Sequence, residues 1–396
     1  MAVITSTMMA YPLTLAHLLE RAEKLFGPVE IVSRLPDKTL HRYTYADFVR
    51  RAKALAEGLQ RLGLAKGDRV GTLMWNHYAH LEAYFGIPAA GGVLHTLNLR
   101  LHPDEIAYIV NHAEDRFLLV DDVLVPLLRQ FEDRIRVERI FVVPLTGQAV
   151  PEGYGDYEAL LAEATGDFSY PELDENDPAG MCYTSGTTGR PKGVVYSHRA
   201  LVLHSFAAAL ADTLAVSHRD TVLPVVPMFH ANAWGLPFAA TMVGAKQVFP
   251  GPHLDSESLL ELFEREGVTF TAGVPTIWMD LLRYADERHP DLSSLRMVIC
   301  GGAAVPLALM QAFEERHGVR VIQAWGMTEM SPLGSVARPP AGLPADEHWR
   351  LRATQGRIVP LVEARIVDDD GNELPWDGRS VGELEVRGPW IARDYY

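Results

Sequence analysis

The chain has 396 residues, 48% of them hydrophobic and 22% charged, a make-up that excludes a disordered chain and leaves ample apolar residues for a core. Its net charge of −15 argues against nucleic acid or an anionic membrane as a partner. The two cysteines, Cys182 and Cys300, each in an apolar run, exclude a disulfide scaffold and point to the reducing cytosol, so a cytoplasmic location is expected.

The N-terminus has no basic residue before an apolar stretch, which makes it a poor signal peptide. No apolar run reaches the roughly 18 residues that a spanning helix needs, so no transmembrane segment is expected. Residues 1–43 read as peripheral, with an amphipathic helix over Leu15 to Phe26. From Thr44 the pattern becomes β/α. Thr44 and Asp47 form a T-x-x-D capping signal, and Ala52, Leu55, Ala56, Leu59 and Leu62 follow at helical spacing up to Gly63. Asp68 to Met74 reads as a strand, Leu81 to Ala90 as a helix, Asp104 to His112 as a helix opened by Pro103, and Arg116 to Val120 as a strand. Residues 145–178 read as a surface connection. Ser197 caps a helix from His198 to Ala211 whose alanines, Ala207 to Ala209, line a channel or simply allow close helix packing. Three more β/α steps begin at Thr221, Val268 and Met297, and a strand follows over Arg320 to Gln323. The last stretch, Leu361 to Val367 and Val381 to Val386 around Asp370-Gly371, alternates as an antiparallel pair in a small distorted barrel.

The most informative stretch is Tyr183 to Gly193, YTSGTTGRPKG, between two short apolar runs that read as strands. Its glycines let backbone approach a ligand. The hydroxyls of Thr184, Ser185, Thr187 and Thr188 and the free backbone N–H groups can donate to phosphate oxygens, and Lys192 adds a point charge. It is not the Gly-x4-Gly-Lys-Ser/Thr phosphate loop, because Lys192 follows Pro191 and an apolar run comes next instead of a helix. Three further loops each follow a strand end, where open α/β sheets gather ligands. Met228 to Gly235 carries His230 and Trp234. Gly301-Gly302-Ala303-Ala304 presents bare backbone, suited to a purine ring or simply to a tight turn. In Gln323 to Glu329, Gln323 and Ala324 can bond a base edge, Trp325 can stack, Thr328 can reach a phosphate, and Glu329 offers a hard oxygen for Mg2+.

These motifs and their order resemble the adenylate-forming, AMP-binding superfamily, and within it the long- and medium-chain fatty acyl-CoA synthetases. The resemblance runs over essentially the whole chain and ends with GELEVRGP, Gly382 to Pro389. It implies an α/β fold: a multi-lobed large N-terminal domain with two mostly parallel, helix-flanked sheets and a small distorted antiparallel barrel. The expected parts are a first lobe over 1–178, a second lobe with the nucleotide site over 179–355, and the start of the barrel over 356–396. It also implies that Thr184, Ser185, Gly186, Thr187, Thr188, Gly189 and Lys192 hold the triphosphate. His230 stands beside the substrate carboxylate. Ala231, Trp234, Gly302, Ala303, Gln323, Ala324 and Trp325 surround the adenylate, and Thr328 meets a phosphate. Thr184 and Glu329 serve the metal, and Lys192, His230, Thr328 and Glu329 are the expected catalytic set. Trp234 matches a gate between the ATP site and an acyl tunnel. The implied reaction uses ATP, Mg2+ and coenzyme A to make an acyl-CoA, with a fatty acid favoured because His230 cannot supply the fixed negative charge that holds an amino acid's ammonium. An aryl acid, or an ATP- or AMP-binding module without turnover, are the competing expectations. The N-terminal region joins dimer contacts in the resembled long-chain enzymes, which leaves a homodimer open. The family's later Thr-Gly-Asp motif, hinge and lysine-bearing C-terminal domain are not in this sequence, so a truncated chain with little full activity is expected.

Overall fold

The computed structural model describes residues 6–184 and 189–396. The helices that local sequence specifies are present. Leu15–Phe26 buries Leu15, Leu18, Leu19 and Ala22 along one stripe. At the head of Tyr45–Arg61, the Asp47 N–H donates to Thr44 Oγ1 (3.3 Å) and the Thr44 N–H donates to the Asp47 carboxylate (3.2 Å). Two of the helix's orphan donors are thereby satisfied. Ser197 accepts from the Ala200 N–H at the head of His198–Ala209 (3.1 Å).

Two large sheets organise the chain. The seven-stranded sheet runs Gly155–Asp156, Arg139–Val143, Asp115–Asp121, Arg69–Leu73, Val93–Thr96, Pro178–Tyr183 and Gly193–Ser197. It is parallel except for the last pair. The nine-stranded sheet runs Arg357–Ile358, Leu333–Val336, Val321–Gly326, Met297–Cys300, Phe270–Gly273, Thr221–Pro224, Lys246–Phe249, Glu30–Arg34 and Leu40–Thr44. It is parallel through the middle and antiparallel at both edges. The strand period of two shows directly: Met297 and Ile299 belong to one apolar cluster, Val298 and Cys300 to another on the opposite face. The largest cluster draws on both sheets and on the helices Leu15–Phe26, Tyr45–Arg61, Tyr78–Ala89 and Leu236–Val243. Those helices form the layer between the sheets. Ser256–Glu266, Pro275–Arg288 and Leu307–His317 cover the outer face of the nine-stranded sheet.

Four expectations need correction or refinement. Residues 1–43 are not simply peripheral, because Glu30–Arg34 and Leu40–Thr44 are the last two strands at one end of the nine-stranded sheet. Arg34 disguised the first of them: it is 1% exposed, donates to the Ser258 carbonyl (2.8 Å) and pairs with Glu261 (2.8 Å). Residues 145–178 are not only a surface connection, since they supply an edge strand and the helix Tyr157–Ala162. The Tyr157 hydroxyl there donates to buried Glu82 (2.7 Å), which also pairs with Arg51. The sheets also interleave across residue 178: Pro178–Tyr183 and Gly193–Ser197 complete the sheet begun at Arg69. Of the expected barrel, the described residues form one antiparallel pair, Glu363–Val367 with Glu383–Arg387.

Three histidines are buried in neutral form. His198 and His204 are pushed down to about 4 and His80 to about 3, chiefly by burial, with His77 adding to the effect at His80. Folding thus lowers each pKa below the 6.5 of the free side chain. The unfolded chain takes up these protons first, so stability is complete above pH 6.5 and is lost as pH falls towards about 4. Each group contributes up to about 1.4 kcal/mol per pH unit within that window. The urea midpoint is expected to drop steadily on acidification through this range; a flat midpoint contradicts the burial of neutral imidazoles.

Candidate active site

The rim of loops foreseen from the sequence exists. Three parallel strands of the nine-stranded sheet, Thr221–Pro224, Met297–Cys300 and Val321–Gly326, end in the segments that carry His230, Gly301 and Thr328. A cavity of about 70 Å³ lies among them, lined by His230, Ala231, Trp234, Gly302, Ala324, Trp325 and Thr328 together with Gly301, Gly326 and Met327. Seven residues expected at the nucleotide or the substrate carboxylate therefore meet around one space.

Close approach of backbone makes one face of the cavity. A Cβ on Gly301 would sit 2.6 Å from the Ala324 carbonyl oxygen and 3.4 Å from the Trp234 ring. Gly302 has φ +80°, a conformation glycine adopts without cost. The far wall is a short turn of unusual hand. Ala231, Asn232, Ala233 and Trp234 have φ of 42°, 55°, 49° and 56°, and Gly235 follows at 74°. Each non-glycine residue there costs about 1–2 kcal/mol relative to a right-handed turn. Packing holds it: Ala231, Asn232 and Ala233 are buried, and His204 lies directly behind Gly235. The strained turn aims Trp234 across the cavity, as expected of backbone strain concentrated at a site.

His230 opens towards solvent at the cavity while protein surrounds most of its ring. That burial lowers its pKa, and the positive charge of Arg100 lowers it further. Its imidazole is accordingly neutral at neutral pH, with one donor and one acceptor nitrogen.

Two expected adenylate contacts fall elsewhere. Ala303 is exposed and does not line the cavity. Gln323 spends both ends of its amide on backbone: Oε1 accepts from the Val305 N–H (2.8 Å) and Nε2 donates to the Thr354 carbonyl (2.9 Å). With 1% exposure it is a strut that fixes the Gly301–Val305 loop to the strand edge, and its side chain is not free for a base edge.

Thr184 and Lys192 close the neck of the polar loop. The Thr184 N–H donates to the Lys192 carbonyl (2.9 Å), and the Lys192 N–H donates to Thr184 Oγ1 (3.4 Å). Gly189 has φ +153° with open space around it. Ser185, Gly186, Thr187 and Thr188 lie outside the described residues. Thr328 is tied in through its carbonyl, which accepts from the Tyr196 hydroxyl (2.7 Å). Glu329 Oε1 accepts from the Tyr395 hydroxyl (2.6 Å), and Lys192 Nζ stands 4.8 Å from the centre of the Tyr395 ring. One exposed tyrosine thus touches both charged members of the expected catalytic set. Its hydrogen bond to the Glu329 carboxylate raises the Tyr395 pKa, so the phenol stays protonated as a donor. Tyr395→Phe is expected to tighten Mg2+-dependent ATP binding by about two- to fivefold, because a metal then takes Glu329 without displacing a donor. Titration of a fluorescent ATP analogue checks this, and weaker binding in the variant contradicts it.

Among the described residues no three His, Cys, Asp or Glu side chains cluster as a metal cage. The donor set here, Glu329 with the Thr184 hydroxyl, suits Mg2+, which is commonly held by one or two carboxylates plus phosphate oxygens and waters. Sequence reasoning missed Tyr196, His204 and Tyr395. The paired tyrosines that follow GPWIARD were the only local sign of the last.

A polar stretch between two strands, a bare glycine face and a carboxylate beside a threonine are the features on which the resemblance to the adenylate-forming enzymes rests. The AMP-binding enzyme family model matches residues 21–396. A long-chain-fatty-acid–CoA ligase of Thermus thermophilus is 52% identical over 394 residues, 99% of this chain and 72% of that protein. A medium-chain-fatty-acid–CoA ligase of Ectopseudomonas oleovorans is 43% identical over 98% of this chain and 72% of its own length. Among solved structures, the anthranilate CoA ligase AuaEII in complex with anthranoyl-AMP superposes with a TM-score of 0.87 at 25% identity, covering 99% of this chain and 73% of that one. A long-chain-fatty-acid-CoA ligase (FadD1) from Archaeoglobus fulgidus gives 0.85 at 27% identity, covering 99% of this chain and 78% of that one. The chain belongs to the AMP-binding enzyme family.

Proposed function

We propose that this protein is an acid–thiol ligase that activates a medium- or long-chain fatty acid with ATP and passes the acyl group to coenzyme A. The observation that carries the reading is the shared cavity of His230, Trp234, Gly302, Ala324, Trp325 and Thr328, with a neutral histidine where a carboxylate would be held. The names of the fatty-acid ligases it resembles support the same reading.

In the first step a carboxylate oxygen bonds to the α-phosphorus of ATP as the bond to the β-phosphate oxygen breaks, releasing pyrophosphate. The thiolate of coenzyme A then attacks the acyl carbon, and AMP leaves with the electron pair of the mixed anhydride. The protein's share of the first step is positioning and charge screening. His230 donates a hydrogen bond to the acid without adding a fixed charge. The glycine face and Trp325 take the adenine, while the polar loop and Lys192 take the phosphates. Thr184 and Glu329 would hold Mg2+, which supplies charge neutralisation to the polyphosphate when bound.

The cavity is far smaller than the ~300–1,000 Å³ of pockets that enclose small ligands. Trp234 forms part of its wall, so an acyl chain enters by swinging that ring aside, in keeping with a gate. An aryl acid is the second reading: Trp234 and Trp325 leave a slot of about 70 Å³ that suits a flat ring, and the similar anthranilate CoA ligase is solved with an aryl adenylate.

The test is acid-dependent exchange of labelled pyrophosphate into ATP across decanoate, palmitate, benzoate and anthranilate. Exchange led by the straight chains supports the fatty-acid ligase, and exchange led by the aromatic acids replaces it with the second reading. ATP binding without exchange on any acid reduces the protein to a nucleotide-binding module. A non-hydrolysable acyl-adenylate analogue, titrated calorimetrically, reports on the site independently of turnover.

A further inference from the structure

We propose that the arginine-lined cavity beside the edge of the nine-stranded sheet is a second anion site, separate from the nucleotide cavity, that takes a phosphate-bearing anion of two or more charges. Its volume is about 440 Å³. It sits towards the start of the strand Val321–Gly326, whose far end carries the nucleotide rim: Ile322 lines this cavity and Ala324 the other.

Four guanidinium groups, Arg320, Arg338, Arg352 and Arg357, share its lining with His348, and Asp212 is the one carboxylate among the lining residues. This imbalance stands in a chain with 51 acidic residues and a net charge of −15. Among the described residues Arg320, Arg338 and Arg357 make no ion pair, whereas nearby Arg296 is neutralised by Asp220 (2.6 Å). Two of the four also present unpartnered polar atoms. Arg352 is 1% exposed, pairs with Glu314, donates to the Val321 carbonyl (2.5 Å) and stacks 4.3 Å from the centre of the Trp349 ring. Its Nε is sealed from solvent without a partner. Arg338 donates to Met297 Sδ (3.3 Å), and its Nε is likewise buried and unpartnered. Burial and the repulsion of Arg296 and Arg320 lower the pKa of Arg338.

Buried donors without acceptors and like charges in one space both destabilise the fold unless an acceptor with negative charge enters. A planar guanidinium fork matches the paired oxygens of a phosphate group. The three without an ion pair, Arg320, Arg338 and Arg357, in a space much larger than a single ion suit a linked phosphate or phosphate ester.

Pyrophosphate without Mg2+ is the probe, titrated calorimetrically into the whole chain. The wild type is expected to bind two equivalents, of which a non-hydrolysable acyl-adenylate analogue, with a single phosphate charge, displaces one. In Arg338→Gln/Arg357→Gln the analogue-insensitive equivalent disappears, while the affinity for the acyl-adenylate analogue is unchanged. Arg320→Gln alone, at an exposed position that the fold tolerates, weakens that equivalent by about tenfold, the loss of one charge-assisted hydrogen bond. A wild type that binds one equivalent, fully displaced by the acyl-adenylate analogue, overturns the proposal. So do variants that bind pyrophosphate like the wild type. Citrate is the carboxylate comparison: citrate filling the cavity while pyrophosphate does not would remove the phosphate assignment.

Discussion

Glu329→Ala is expected to reduce Mg2+-dependent ATP binding and acid-dependent pyrophosphate exchange by about two orders of magnitude, or roughly 2.7 kcal/mol. The expectation rests on what this side chain does and does not hold. Its carboxylate touches Tyr395 alone among the hydrogen bonds described, and that contact is exposed. The structural bond at this residue is made by its backbone carbonyl, which accepts from the Ala392 N–H (2.7 Å) and survives the substitution. The fold is therefore spared and the loss falls on the ligand. Glu329→Gln separates charge from shape: it keeps an acceptor for Tyr395 and removes the hard anionic oxygen that Mg2+ prefers. Both variants should fail alike. Full exchange in Glu329→Gln would mean that the residue acts through its hydrogen bond alone.

Gly235→Ala should cost about 3–5 kcal/mol of stability and, in whatever fraction stays folded, remove binding of an acyl-adenylate analogue. Two penalties add. The residue sits at φ 74°, where a side chain is strained, and an added Cβ would lie 2.5 Å from His204 Nδ1. His204 cannot simply retreat. It is buried, and its Nε2 accepts from the Leu333 N–H (3.2 Å), so moving it disturbs the strand that borders the cavity. Gly235 also ends the left-handed run that aims Trp234, so any shift is carried into the wall of the site. Gly267→Ala is the control, because that glycine has φ 61° with nothing within 4 Å. It carries the backbone penalty without the clash, about 1 kcal/mol. Chemical denaturation of the two variants measures the difference, and equal losses would show that the His204 contact is unimportant.

Legibility in the sequence followed the range of the interactions. The capping box of Thr44 and Asp47 and the helix Leu15–Phe26 are set by residues within a few positions, and both were readable. The strand Glu30–Arg34 was not: its local partner Leu40–Thr44 is only partly buried, the strand that ties it into the sheet, Lys246–Phe249, lies over two hundred residues away, and Arg34 breaks the apolar pattern. The rim of the site was legible because polar, glycine-rich stretches recur after strands. What each side chain does there was less so. Gln323 reads as a free amide at a strand end, yet Val305 and Thr354, which consume it, are brought to it only by the fold. The left-handed turn over Ala231–Trp234 is only faintly marked in residue types: Asn232 tolerates that conformation, but alanine and tryptophan carry no preference for it and tertiary packing imposes it.

Everything above turns on where the nucleotide lies. A crystal structure with a non-hydrolysable acyl-adenylate bound should place the adenine against Gly301 and Gly302, the phosphate-like linker between Thr328 and His230, and the acyl chain beyond a displaced Trp234. Adenine found at any other face of the molecule, with Trp234 still across an empty cavity, would contradict the account.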